Sequence, residues 1–201
     1  MPATRLSLGP LDAGRSLTLE EYEEAEYEGG VHYELIDGRL VVSPEANFPE
    51  NRLERWLLRA LDRYSDARPD IVNYVSNKTR VFVHGRRRST CPEPDVAAYR
   101  NVPLDLPSRQ IRWQDVSPLL VCEILVDGDP RKDLVRNAAL YLEVPSVLEY
   151  WVIDGRDDPD EPSLIAHRRD NVTWAITTTP YGGTYLTPLL PDFALVIDPR
   201  R

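Results

Sequence analysis

Two acidic residues occupy places where a folded chain tolerates charge only for a reason. Glu123 interrupts a nearly continuous apolar run over residues 119–126, and Asp95 heads a second apolar run, 94–99, directly behind Pro94. A carboxylate inside an apolar strand is costly unless it is paired, hydrogen-bonded or metal-bound. If the two runs are neighbouring strands, both acids converge on one point. Two hard oxygen donors with room for water suit Mg2+ or Mn2+. The same pattern fits Glu123 paired with a buried arginine such as Arg80 or Arg112, and the bare residues divide evenly between the two readings.

The elements that must position these acids follow from spacing. Thr18 and Glu21 form a capping-box pattern ahead of a short acidic helix, 19–27, stopped by Gly29 and Gly30. Asp37-Gly38 between two alternating runs marks a hairpin over 31–42, because a tight primed turn needs positive φ. Leu53, Trp56, Leu57, Ala60, Leu61 and Tyr64 recur with helical spacing. A row of Arg52, Arg55, Arg59 and Arg63 runs along the same helix and reads first as a solvated face. Strands are expected at 71–75, 79–83, 94–99 and 119–126, the last nearly all apolar like a buried central strand. A helix is expected at 133–143, a strand at 148–154, a hairpin at 164–178, and extended chain at 185–190 and 193–197. This order reads as an α/β or α+β fold with a mixed central sheet flanked by helices.

With those elements in place, the series of motifs resembles a known family. Tyr33-Glu34-Leu35-Ile36-Asp37-Gly38, Val42-Ser43-Pro44, Pro94-Asp95-Val96-Ala97, Val121-Cys122-Glu123-Ile124-Leu125, Asp133, Tyr141, residues 149–154 and Leu189-Leu190-Pro191 follow in order. The series is similar to the Uma-type restriction endonuclease family, long catalogued as a domain of unknown function, within the PD-(D/E)XK nuclease superfamily. The resemblance spans roughly residues 17–198. It implies a restriction-endonuclease-like single domain over 17–201 behind a flexible N-terminal arm, 1–16. It implies Asp95 and Glu123 as metal-binding carboxylates, with the Ile124 main-chain carbonyl as a third ligand. Glu34 matches an acidic residue facing the same site, and Asp133 an acidic residue at the start of the following helix. The implied reaction is hydrolysis of DNA phosphodiester bonds with Mg2+ (or Mn2+).

The sequence departs from that pattern at the cation. The superfamily's lysine commonly sits two residues after the glutamate, where this chain has Leu125; the resemblance to the Uma-type branch implies a lysine moved to the helix, four residues after the aspartate, where this chain has Asn137. Asp133, Asn137 and Tyr141 share a helix face at i, i+4 and i+8, so Asn137 is a candidate to bind water or phosphate, without positive charge. On an α-helix Lys132 lies about 140° from Asn137 and Arg136 about 100° from it, which makes both poor substitutes. Lys78 is a third candidate. Asp127 and Asp129 read as a surface turn. The missing lysine supports a second hypothesis: a nuclease-fold protein that no longer cuts and serves as a nucleic-acid- or protein-binding module. A carboxylate-pair glycosidase is a third, weakened by the lack of an evident aromatic sugar platform.

Composition bounds these readings. The chain has 201 residues, 24 Lys+Arg and 33 Asp+Glu, for a formal net charge of -9, which argues against a strongly basic nucleic-acid binder. Six of the acids fall in the run Glu20 to Glu28, so the deficit is local. No apolar stretch approaches the roughly 18 residues of a membrane span, and residues 1–14 lack the pattern of a signal peptide, so a cytoplasmic, non-membrane protein is expected. Two cysteines, Cys91 and Cys122, are too few for a disulfide framework. His32, His84 and His167 have no metal-ligand spacing, and no phosphate loop or dinucleotide motif appears, so no organic cofactor is expected. Trp56 and Trp151 read as core; Trp113, in a long loop, reads first as core or partly exposed, with stacking on a base or partner as the alternative. Cutting two strands of a duplex is compatible with a homodimer.

Overall fold

The computed structural model describes residues 5–201. A six-stranded mixed sheet forms its centre, in the order β10-β9-β8-β7-β6-β5. These strands are β5 (Tyr74–Ser76), β6 (Val96–Tyr99), β7 (Leu120–Leu125), β8 (Glu149–Asp154), β9 (Ser163–Asp170) and β10 (Thr173–Thr179). β7 and β8 are parallel, and every other neighbouring pair is antiparallel. The parallel pair needs a crossover. The chain supplies it as one continuous helical segment, a π-helix at Lys132–Asn137 followed by α3 (Ala138–Leu142).

Strand alternation assigns the faces. Leu120, Cys122 and Ile124 point to one side, where they meet Leu53, Trp56, Leu57, Leu61 and Tyr64 of α2 (Phe48–Ala67). Asn47 caps this helix, accepting from the Glu50 amide at 3.0 Å while Glu50 reaches back. Val121 and Leu125 point to the other side, against Ala138, Leu140 and Tyr141. Glu123 has the same parity and faces α3, whereas Cys122 is buried on the α2 side.

A third layer is the hairpin of β3 (Val31–Ile36) and β4 (Arg39–Pro44), turned by Asp37 (φ 50) and Gly38 (φ 69). Tyr33, Leu35 and Leu40 pack with Tyr22, Phe82 and Cys91, and a single bridge, Leu35 to Cys91, links the hairpin to the chain leading into β6. The capping box of Thr18 and Glu21 starts α1 (Leu19–Glu24). A small antiparallel pair, β11 (Thr184–Leu186) with β12 (Ala194–Val196), closes the α2 side.

Several expected elements differ. The acidic helix stops at Glu24, because Glu26–Tyr27 (β2) pairs in parallel with Ser7–Leu8 (β1). Residues 7–16, expected as part of a loose arm, are thereby built into the third layer, with Leu8 fully buried; the arm's first four residues lie outside the described ones. The strand expected at 71–75 shrinks to Tyr74–Ser76, since the Ile71 and Val72 amides turn back to the Arg68 carbonyl that ends α2. Residues 79–83 run extended beside 90–92 but form no regular strand. Val81 and Val83 donate to Pro92 and Thr90, and Pro92 has no N–H to return. No helix among the described residues is long and apolar enough to cross a membrane.

Candidate functional site

The β6–β7 register decides whether the two acids meet. Val96 lies opposite Cys122 and Ala97 opposite Val121. Extending that register places Asp95 opposite Glu123, and cross-strand partners share a sheet face. Next outward, Pro94 falls opposite Ile124. The Leu125 carbonyl accepts from Gly155 on the β8 side at 2.9 Å, so by alternation the peptide groups of Ile124 face β6. There Pro94 has no N–H for the Ile124 carbonyl, and Asp95 Oδ2 accepts the Ile124 N–H at 2.6 Å. The Pro-Asp pair thus ends the ladder and leaves a main-chain carbonyl beside two carboxylates.

Glu123 is only 2% exposed. Its Oε1 accepts from Asn137 Nδ2 and from the Tyr141 hydroxyl, each at 2.8 Å. Neither Arg80 nor Arg112 pairs with it; Arg80 binds Glu93 and Arg112 binds Asp115. Burial pushes the Glu123 carboxyl well above the usual range, and the negative charges of Asp133 and Asp95 push it further. Burial likewise raises Asp95, to about 7, although the Ile124 N–H and Lys132 act in the opposite direction. Asp133 is also raised, by burial first, against the opposing pull of Lys132.

The crossover helix brings the cations. Its first turn is wound as a π-helix, whose i→i+5 bonding puts more residues in each turn and so brings residues five apart closer round the axis than an α-helix does. The angle of about 140° between Lys132 and Asn137 assumed α-helical pitch and does not apply to this turn. The Tyr150 hydroxyl donates to the Asp133 carbonyl at 2.9 Å, and a side chain entering the carbonyl ladder is a recognised cause of such distortion. Burial opposes the charge on Lys132, but Glu123, Glu34, Asp133 and Asp95 outweigh it and hold the ammonium above its usual pKa. All four site acids therefore act on this one lysine.

Arg136 also reaches the cluster. Its Nη2 donates to Glu34 Oε2 and its Nε to Asn137 Oδ1, both at 2.9 Å. The second bond fixes which way the Asn137 amide faces. With Oδ1 taken by Arg136, Nδ2 turns to Glu123 and, at 3.1 Å, to Asp133. Glu34, 2% exposed, accepts from the Glu93 amide through its other oxygen at 3.2 Å. Asp95, Glu123, Glu34, Asp133 and Asn137 are thus gathered together. Lys132, Arg136 and Tyr141 complete the group; π winding leaves no trace in hydrophobic periodicity, so the two cations were not legible there.

Other candidates lie elsewhere. Lys78 is exposed in a turn, with φ 54. Asp127 accepts from Asn47 and Asp129 pairs with Arg131, so both are committed at the surface. Trp113 packs on Tyr74 and Tyr99. His167 is buried between Tyr150 and Trp174. Among the described residues, no group of three or more His, Cys, Asp or Glu side chains is placed to hold a metal ion together, so Asp95 and Glu123 are a two-carboxylate candidate.

Comparison with known proteins agrees with this architecture. A crystal structure titled as a putative nuclease belonging to DUF820, from Anabaena variabilis, aligns with a TM-score of 0.63 at 14% identity, covering 90% of this chain and 95% of that one. No curated protein matches the sequence. The profile of one family, described as "Uma2: Putative restriction endonuclease", matches residues 19–198. That span is nearly the whole chain, and the protein belongs to the Uma2 family.

Proposed function

We propose that the protein is a divalent-metal-dependent nuclease that hydrolyses DNA phosphodiester bonds at the Asp95–Glu123 cluster. The observation carrying this reading is the Asp95 carboxylate bonded to the Ile124 amide, next to Glu123, in a β6–β7 register whose extension pairs the two acids and sets Pro94, which has no N–H, opposite Ile124. The donor set fits the ion: every candidate ligand is a hard oxygen, the preference of Mg2+ and Mn2+. Buried carboxylates with raised pKa values are also relieved by a cation.

Asp95, Glu123 and the Ile124 carbonyl would hold the ion. When bound there, it supplies Lewis acidity toward a phosphate oxygen and lowers the pKa of a coordinated water. The chain's own residues supply the rest. Asn137 and Tyr141 grip one oxygen of Glu123, so the other would be the one to hold the ion. Lys132 provides positive charge where an attacked phosphate gains negative charge. Arg136, braced by Glu34, keeps the Asn137 amide correctly turned. Water adds to phosphorus, the bond to one ester oxygen breaks, and that oxygen leaves with a proton.

The competing reading of an inactive binding module rested on the lack of lysine at Leu125 and Asn137. Lys132 in the field of all four acids weighs against it. The test is cleavage of supercoiled plasmid and single-stranded DNA with Mg2+ or Mn2+, comparing the native protein with the Asp95→Asn, Glu123→Gln double variant. Metal-dependent nicking lost in the double variant is the expected result; equal background in both would overturn the proposal.

A further inference from the structure

A second cationic feature lies outside the acid cluster. A cavity of about 440 Å³ opens beside the loop His84 to Thr90, with Phe82 and Cys91 among its lining residues. Four arginines line it: Arg86, Arg87, Arg88 and Arg112. Two are spoken for. Arg86 is clamped between Asp37 (2.9 Å) and Glu143 (2.7 Å), and Arg112 is held by Asp115 (2.8 Å). Glu23 also acts on Arg112. Arg87 and Arg88 are exposed, and among the described residues neither forms an ion pair with a carboxylate. In a chain of net charge -9, two adjacent free guanidinium groups beside an open cavity are a local reversal of sign.

The loop is held in place. Gly85 takes φ +83 at its turn, and the two ion pairs of Arg86 tie it to the β3–β4 turn and to the end of α3. The stem of the Arg88 side chain lies against the hairpin turn, its Cβ and Cδ each 3.4 Å from where a side chain on Gly38 would begin, and the Ser89 carbonyl accepts from the Gly38 amide at 2.8 Å. The chain then runs straight to the acid cluster: Cys91 bridges Leu35, Glu93 binds Glu34, and Asp95 follows. Seven residues lead from Arg88 to Asp95, so at most about 25 Å of chain separates them, or about seven axial steps of a nucleic-acid strand at about 3.4 Å each.

We propose that the Arg87–Arg88 cavity is a backbone-phosphate subsite, holding the substrate's DNA a few nucleotides from the point of cleavage. This rests on the nuclease reading and adds to it a named contact remote from the reacting phosphate. The guanidinium fork matches a phosphate's paired oxygens, and such contacts fix register without reading sequence. A carboxylate-bearing protein partner is the competing occupant, and the experiment separates the two.

The test is equilibrium binding of a fluorescein-labelled 20-base-pair duplex without divalent ion, across a salt titration. Native protein is compared with the Arg87→Gln, Arg88→Gln variant and with Arg59→Gln on the exposed side of α2. Each neutralised phosphate contact contributes about 0.9 to the slope of log K against log salt. The expected result is a slope about 2 smaller for the double variant, weaker binding at moderate salt, and little change for Arg59→Gln. Equal slopes for native and double variant, while the native protein binds DNA, would overturn the subsite and leave the nuclease reading standing. Duplex binding absent from the native protein, together with absent plasmid nicking, would overturn both. Because both arginines are exposed, the double variant is expected to keep the native melting temperature, which is measured alongside.

Discussion

Asn137 Nδ2 and the Tyr141 hydroxyl converge on the same oxygen of Glu123, each at 2.8 Å. A buried carboxylate held twice on one side has its remaining oxygen pointed by default. Replacing Tyr141 by Phe removes one of these bonds and little volume. Loss of such an outer hydrogen bond costs about 10- to 100-fold in metal affinity and about 1 kcal/mol of stability. Calorimetric titration with Mn2+ measures the first and thermal unfolding the second. Unchanged affinity would mean that Tyr141 serves packing alone.

Lys132 is expected to matter in the opposite sense. It repels a cation but offsets the charge of an attacked phosphate. Lys132→Ala should lower single-turnover cleavage by about 10²- to 10³-fold, the usual cost of losing one electrostatic stabiliser. Metal binding should stay equal or become tighter. Arg at this position should restore part of the rate, since charge is kept but reach and geometry change. Full activity in Lys132→Ala would leave the π turn without a catalytic purpose.

The metal-free protein should lose stability as pH rises. Asp95 titrates near 7 in the folded chain and near 4 when unfolded, so the folded state binds more protons between these values. Stability from this group is therefore complete below about pH 4 and declines up to about pH 7. Melting temperatures measured at pH 5 and pH 8 should differ in that direction, and Asp95→Asn should flatten the difference. Mg2+ should raise the melting temperature more at pH 8 than at pH 5, because protons compete with the ion for the same oxygens. A metal-free protein more stable at pH 8 in proportion to Asp95 would contradict the assignment.

Pro94→Ala tests the free carbonyl. Alanine supplies an N–H that can bond to Ile124 and extend the β6–β7 ladder by one rung. The expected outcome is weaker Mn2+ affinity with a melting temperature changed by only a few degrees, as the new bond and the lost rigidity offset each other. Amide exchange at position 94 would report the new rung directly.

Much of this fold is legible in the pattern of residues along the chain. Asp37-Gly38 gave the hairpin because two residues at positive φ leave few alternatives, and the apolar run around Glu123 gave a central strand because both faces of β7 are covered. Residues 79–83 form no strand although their apolar alternation reflects real burial, because Pro92 opposite lacks the N–H a regular ladder needs. Within the site, the acids stood out because charge in an apolar strand is conspicuous. The cations did not, since Lys132 and Arg136 look like ordinary residues of a helix surface. They sit on a π-wound turn whose Asp133 carbonyl accepts from Tyr150, one strand later.

That one widened turn also changes how relatives of this chain should be sorted. A search by fixed motif spacing would file the sequence among dead enzymes, since both customary lysine slots are filled by Leu125 and Asn137. A helix that changes pitch can shift a functional group along the chain without any insertion or deletion to betray it. Vacant motif positions in such proteins are evidence of inactivity only after the winding of the neighbouring helix is known.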